Sequence, residues 1–246
     1  MLVASNVSVK GRVSELNVII RKGAQLHLLG PNGAGKSSVL ALFSGLINAD
    51  KGKMYWRDND LFNLSLEALS RQRCLLQQQQ NIEFSIPLKQ LLSFYTQRVD
   101  LPHELEQCFE LSSMLNNNLP SLSGGQQQRF HLARVLSQIW PAIERGEALV
   151  LLDEPCQQLD VNYQAQLMRL LTQICEQGNV VVMSSHDMNL SAKYASHIMF
   201  LKDQKMFGVA PTETQMTTSN LKHVFDHSFV EAKDNSLSHK YFVACD

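Results

Sequence analysis

Residues 30–37 read GPNGAGKS, a glycine-rich octapeptide closed by Lys36 and Ser37, and few stretches of this length restrict a fold so sharply. Glycines at 30, 33 and 35 let consecutive backbone N–H groups turn inward around a phosphate chain with no Cβ in the way. Before the loop, Gln25 to Leu29 is a short, mostly apolar run that suits a buried strand. After it, Val39, Leu40, Leu42, Phe43, Leu46 and Ile47 recur at helical spacing, which predicts a helix from about Lys36. Such a helix turns its positive end toward the bound anion. The order strand, glycine loop, helix is that of a P-loop, in which Lys36 reaches the β and γ phosphates and the Ser37 hydroxyl ligates Mg²⁺. The expected ligand is ATP.

Two further buried strands are expected downstream, at Ala148 to Leu152 and at Val180 to Met183. Between them, Tyr163 to Glu176 places Leu167, Leu170, Leu171 and Ile174 on one helical face, and Gly178 follows as a stop. Strands alternating with helices predict an α/β fold with a mostly parallel sheet. Val3 to Val9, Val18 to Ile20 and Lys53 to Trp56 read as short strands of an antiparallel edge. From about Gln80 to Gln138 the patterns turn helical, with Leu88, Leu91, Leu92 and Tyr95, then Leu105, Cys108, Phe109 and Leu111. This stretch reads as a helical subdomain (80–138) inserted into an α/β core made of 1–79 and 139–246. The tail from Met206 to Asp246 is polar with apolar islands and is expected to be a loose strand or hairpin.

Asp153 and Glu154 follow the Ala148–Leu152 run, at the carboxyl end of a predicted strand, where ligands of open α/β sheets gather. Asp153 is suited to orient Mg²⁺, and Glu154 to accept a proton from an attacking water. Leu122 to Gln126 reads LSGGQ. Taken alone, Ser123, Gly124 and Gly125 are a helix cap or a turn. Ahead of a helix predicted over Gln127 to Leu136, they also make a second anion site at a helix N-terminus.

The loop at 30–37, the acidic pair and LSGGQ occur here in the order found in the ATP-binding subunits of ABC transporters, which the chain resembles from about Val3 to Gly208. The resemblance implies the ABC ATPase fold: a P-loop NTPase core, an antiparallel β edge and a helical subdomain bearing the LSGGQ signature. It implies ATP hydrolysis with Glu154 and His186 as catalytic residues, His186 being the switch histidine that contacts the γ-phosphate. Nucleotide contacts are implied at Gly30, Pro31, Asn32, Gly33, Ala34, Gly35, Lys36, Ser37 and Ser38, at Gln78, and at Ser123, Gly124, Gly125 and Gln126. Ser37, Gln78 and Asp153 are the implied Mg²⁺ set. Gln78 fits the Q-loop glutamine because it follows the strand-like Arg73 to Leu76; Gln77, Gln79 and Gln80 stand as alternatives. Leu159 and Asp160 match the D-loop. The family further implies a head-to-tail dimer, each ATP held between one P-loop and the partner's signature.

One departure stands out. Family members carry an adenine-stacking aromatic upstream of the first core strand, and no Phe, Tyr or Trp precedes Phe43 here. Arg12 or Val13 is the expected substitute.

Bulk properties agree with a folded domain. The 246 residues are 44% hydrophobic and 18% charged, with a net charge of −1, so no electrostatic reason for a nucleic-acid partner exists. Five widely spaced cysteines without a CxxC pair argue against a metal or disulfide framework and for reduced thiols. No signal segment and no apolar run near the ~20 residues of a membrane span is read, so a soluble chain at the cytoplasmic face of the inner membrane is expected.

Within the family the resemblance is nearest to importers of large metal chelates, on residues 27–37 (HLLGPNGAGKS), 183–190 (MSSHDMNL) and the extra segment 138–147. It implies cobalamin as the cargo, with iron siderophores or haem as alternatives. Separate transmembrane permease subunits and, indirectly, a periplasmic binding protein are the implied partners. A non-transport ABC ATPase of DNA repair or translation is the reading from another class; the long insertions, zinc-type cysteines or fused second domain of such relatives are missing from the sequence.

Overall fold

The computed structural model describes residues 1–78, 86–96, 101–232 and 239–245. Gln79 and Gln80, two of the Q-loop alternatives, lie outside the described residues.

The chain opens with an antiparallel pair, β1 (Leu2–Val9) and β2 (Val13–Ile20), whose alternating burial points Leu2, Ala4, Val7, Leu16, Val18 and Ile20 inward. β3 (Gln25–Leu29) is buried at all five residues. Helix α1 (Lys36–Phe43) follows the glycine loop. It stops sooner than the apolar spacing suggested. Gly45 at φ 72° takes the left-handed position past the helix end, and its N–H and that of Leu46 bond back to Leu42 and Ala41. Leu46 is consequently left exposed.

β4 (Lys51–Trp56) and β5 (Asn59–Asp60) complete the antiparallel edge. The short α2 (Leu66–Ser70), capped by Ser65, leads into β6 (Arg73–Leu76). The helical region contains α3 (Leu88–Tyr95), α4 (His103–Phe109), α5 (Gly124–Gln138) and α6 (Trp140–Glu144). β7 (Leu149–Leu152), α7 (Val161–Glu176), β8 (Val180–Ser184), α8 (Met188–Tyr194) and β9 (His197–Lys202) then alternate.

The tail is more ordered than its composition suggested. β10 (Lys205–Pro211), α9 (Thr212–Gln215) and α10 (Thr218–Phe225) precede a hairpin of β11 (Ser228–Ala232) and β12 (Tyr241–Cys245). Its apolar islands are anchors: Met216, Leu221, Val224 and Phe242 bury themselves against Ile198 and Phe200. Removing a side chain of this size from water is worth about 1.5–3 kcal/mol.

Ten strands form one sheet in the order β5-β4-β1-β2-β10-β9-β3-β8-β7-β6. The stretch β9-β3-β8-β7-β6 is parallel throughout, with Leu28 opposite Ser184, Met183 opposite Leu152, and Leu152 opposite Leu76. That register brings the carboxyl ends of β3, β8, β7 and β6 to one edge. The sheet is covered on both faces: α1 and the antiparallel edge share one apolar cluster, and α3 to α7 share another.

Candidate active site

The parallel register collects the sequence-predicted residues. β3 runs into loop 30–35, β7 into Asp153 and Glu154, β8 into Ser185 and His186, and β6 into Gln77 and Gln78. Main-chain bonds lock the ends together, from Asp153 N–H to the Leu76 carbonyl at 2.9 Å and from Ser185 N–H to the Leu28 carbonyl at 3.1 Å.

The loop is built for backbone, not side chains. A Cβ on Gly30 would strike the Leu201 carbonyl oxygen, and one on Gly35, at φ 102°, would lie 2.9 Å from the Arg12 carbonyl oxygen. Gly35 caps α1 without a side-chain bond, leaving the first N–H groups of that helix for an anion. Lys36 is buried and donates from Nζ to the carbonyl oxygens of Gly30 and Pro31, at 2.8 and 3.1 Å. Burial pulls its pKa below the usual lysine value, and the carboxylates of Glu154 and Asp153 oppose that pull. Loop and ammonium thus form a cationic cradle facing the acidic strand end. Pro31 and Asn32 form the crest of the loop, Gly33 takes φ 78°, and Ala34 N–H returns to the Pro31 carbonyl.

Opposite the cradle, Glu154 sits at φ 49°, and its carboxylate accepts from Gln78 Nε2 at 3.0 Å and contacts His186 Nε2. Gln78, Glu154 and His186 therefore converge in one chain, with Glu154 the most enclosed of them and the His186 side chain half exposed. Ser37, Gln77, Gln78 and Asp153 line a common cleft of about 370 Å³. Hydroxyl, amide and carboxylate oxygens are hard donors of the kind Mg²⁺ takes, so the residues present fit that ion. The arrangement can hold a triphosphate against Lys36 and place a carboxylate base beside its end.

LSGGQ differs in detail from its expected form. The glycines do not precede the helix; they are its first residues, because a capping box starts α5 at Gly124. Ser123 Oγ accepts from Gln126 N–H, and Gln126 Oε1 accepts from Ser123 N–H at 2.9 Å. Among the described residues, no hydrogen bond joins Ser123–Gln126 to loop 30–37. Gly124 and Gly125 lie instead against Gln158 of their own chain, where a Cβ on either would meet it at 2.8 Å. Asp160 caps α7, accepting from the N–H groups of Asn162 and Tyr163.

Three contributors escaped the sequence reading. Ser184 Oγ donates to Asp153 Oδ1 at 2.5 Å and accepts Glu154 N–H at 2.9 Å. The signal for it was its place at the end of an apolar run, one strand over from the acidic pair. Gln158 supports the signature glycines, and Gln128 Nε2 on α5 donates to the Pro155 carbonyl at 2.9 Å. Both contacts cross between segments that only the fold brings together. Of the two adenine candidates, Val13 is buried in the core and Arg12 is exposed in the turn beside Gly35.

The profile of the ABC transporter family matches residues 13–157. The chain is 35% identical over 227 residues to the vitamin B12 import ATP-binding protein BtuD of Escherichia coli O45:K1 (strain S88 / ExPEC), covering 91% of each. BtuD of Escherichia coli O139:H28 (strain E24377A / ETEC) matches to the same extent. Among solved structures, an inward-facing putative metal-chelate type ABC transporter aligns with a TM-score of 0.78 at 24% identity, over 100% of this chain and 97% of that one. The ATP-binding cassette MJ0796, a dimer with ADP and Pi in a post-hydrolysis state, aligns with a TM-score of 0.69 at 24% identity, over 86% and 99%. These last two likenesses concern the fold.

Proposed function

The chain belongs to the ABC transporter family as one of its ATP-binding, ATP-hydrolysing members, and from that premise we propose that it is the motor of an importer whose cargo is vitamin B12. The observation that carries the cargo is the 35% identity to the B12 import ATP-binding protein across 91% of both chains. No helix among the described residues is long and apolar enough to cross a membrane. The permease is a separate polypeptide in this reading. The chain works as a peripheral subunit at the cytoplasmic face of the inner membrane, with a periplasmic binding protein delivering cargo on the other side.

The chemistry follows from the residues in place. Backbone N–H groups of residues 30–38 and the Lys36 ammonium hold the β and γ phosphates of ATP. Ser37, Asp153 and Gln78 would hold Mg²⁺, which when bound neutralises charge on the β and γ oxygens. Glu154 takes the proton of the attacking water. His186 and Gln78, both touching its carboxylate, keep that base oriented toward the γ-phosphate position. Arg12, the exposed member of its pair, covers the adenine.

Ser123, Gly124, Gly125 and Gln126 serve the ATP of a second copy of the chain, in a head-to-tail dimer with two composite sites. The start of α5 supports this: the capping box makes Gly124 and Gly125 the first residues of the helix, at its positive end, with Gly124 exposed beside Gln158. The division into an α/β core (1–79 and 139–246) and a helical signature subdomain (80–138) is part of the same proposal.

The deciding experiment reconstitutes the chain with its permease and binding protein in proteoliposomes and measures ATPase activity against cargo. Cobalamin-loaded binding protein should raise turnover. Silence toward cobalamin with a response to haem or a ferric siderophore would move the cargo to an iron chelate.

A further inference from the structure

β3 carries two buried polar side chains that the phosphate chemistry does not use, Gln25 at 2% exposure and His27 at 0%. They begin a hydrogen-bonded series. Gln25 Nε2 lies 3.1 Å from His27 Nε2, His27 Nδ1 lies 3.0 Å from Ser191 Oγ, and Ser191 Oγ donates to the Asp187 carbonyl at 2.8 Å.

Counting protons gives the series a direction. A carbonyl oxygen only accepts, so the one hydroxyl proton of Ser191 points at Asp187. His27 Nδ1 must then carry the hydrogen that Ser191 accepts, which leaves Nε2 as the acceptor facing the Gln25 NH₂ group. The tautomer is assigned from this network. A buried imidazole is tolerated when both ring nitrogens are paired, as they are here. The ring stays neutral, since burial pulls its pKa down to about 3.

The series ends beside His186. On one side of that histidine, Ser185 is held to β3 through its N–H and the Leu28 carbonyl. On the other, Asp187 is held by local bonds: its N–H to Ser185 Oγ, and its carboxylate to the N–H groups of Asn189 and Leu190. Those bonds lie within residues 185–190 and move with them. The His27–Ser191 bond ties that turn to the strand feeding the phosphate loop.

We propose that His27, acting through Ser191, is a positioning residue for His186. It fixes the turn at 185–187 relative to β3, so that the His186 imidazole and the Lys36 loop keep one spacing across the γ-phosphate position. This rests on the reading of His186 as the group at that phosphate.

The test compares Ser191→Ala, His27→Leu, His27→Asn and His186→Ala in the full chain, measuring kcat and KM for Mg-ATP together with thermal unfolding. Ser191→Ala and His27→Leu should lower kcat about tenfold, the scale of a small misplacement, with KM held within about twofold. His27→Asn, whose side-chain amide nitrogen can stand where Nδ1 stood and donate to Ser191, should restore most of the loss. Should His27→Leu fail to fold, Ser191→Ala decides. Wild-type kcat in Ser191→Ala beside an inactive His186→Ala would overturn the link alone. Full activity in His186→Ala would overturn the link and the reading beneath it. A folded His27→Asn no better than His27→Leu would also overturn the proposal.

Discussion

Ser184 Oγ donates a 2.5 Å hydrogen bond to Asp153 Oδ1, so the end of β8 holds the first carboxylate at the end of β7. The same oxygen accepts the N–H of Glu154 at 2.9 Å, at a residue whose φ of 49° needs outside support. Ser184→Ala should therefore disturb both carboxylates while leaving the P-loop intact. Losing a buried bond to a charged group should cost about 1.5–3 kcal/mol of stability. Activity should fall further, about 10-fold or more in kcat, with a raised Mg²⁺ requirement and little change in ATP affinity. A Mg²⁺ titration of turnover at saturating ATP checks this.

Lys36 and Glu154 face each other across the site, and their removal should fail in opposite ways. Lys36→Ala deletes the buried cation of the cradle, so nucleotide affinity itself should drop, read by equilibrium binding of a fluorescent ATP analogue. Glu154→Gln keeps the shape and a hydrogen-bonding oxygen but cannot accept the proton. Turnover should vanish while ATP stays bound, and size-exclusion chromatography with ATP should capture a dimer. Unchanged binding in the lysine variant, or normal turnover in the glutamine variant, would remove that residue from its role.

Much of this site was legible because it is local in sequence. The loop at 30–37, the pair at 153–154 and LSGGQ each fit within eight residues, and the first two sit where an apolar run stops. The parallel core was legible for a related reason: strands buried on both faces read as unbroken apolar runs, as Val180 to Met183 does. What stayed hidden depends on pairing between distant segments. Ser184 gains its role from the β7–β8 register, and Gln128 from the packing of α5 over the turn at Pro155. Helix ends slipped where one residue outweighed the periodicity, at Gly45 after α1 and at Ser123 before α5. The tail misled because its anchors are dispersed: Met216 lies in the link between α9 and α10, Leu221 and Val224 in α10, and Phe242 in β12.

Ser123 has both a structural and a catalytic reading, and magnitudes separate them. As the cap of α5, its loss to Ala should cost about 1 kcal/mol of stability, a few degrees in Tm. As a contact to the partner's ATP, its loss should reduce turnover far more than that, with ATP binding to the isolated chain unchanged. A mild Tm shift with full activity would leave it a cap alone. Gly125→Ala is the harsher change, since its Cβ would meet the Gln158 carbonyl oxygen at 2.8 Å. That clash is with backbone in the same chain, so stability and activity should fall together.

Acid should weaken this fold before its carboxylates begin to titrate, because two histidines are buried uncharged. His27 is pulled down to about 3 by burial, and His131 to about 4 by burial and by the neighbouring Arg134. In the unfolded chain both return to about 6.5. Between that value and their folded values, the unfolded state binds protons that the folded state refuses, so stability rises with pH across the window and is lost as pH falls from about 6.5. Each histidine contributes a limiting slope of roughly 1.4 kcal/mol per pH unit, approached near pH 5. Urea unfolding at pH 7, 6 and 5 should show a growing loss of stability in the wild type. Because His27→Asn cannot titrate, its slope should be about half as steep, and equal slopes in the two proteins would mean that His27 is not buried neutral.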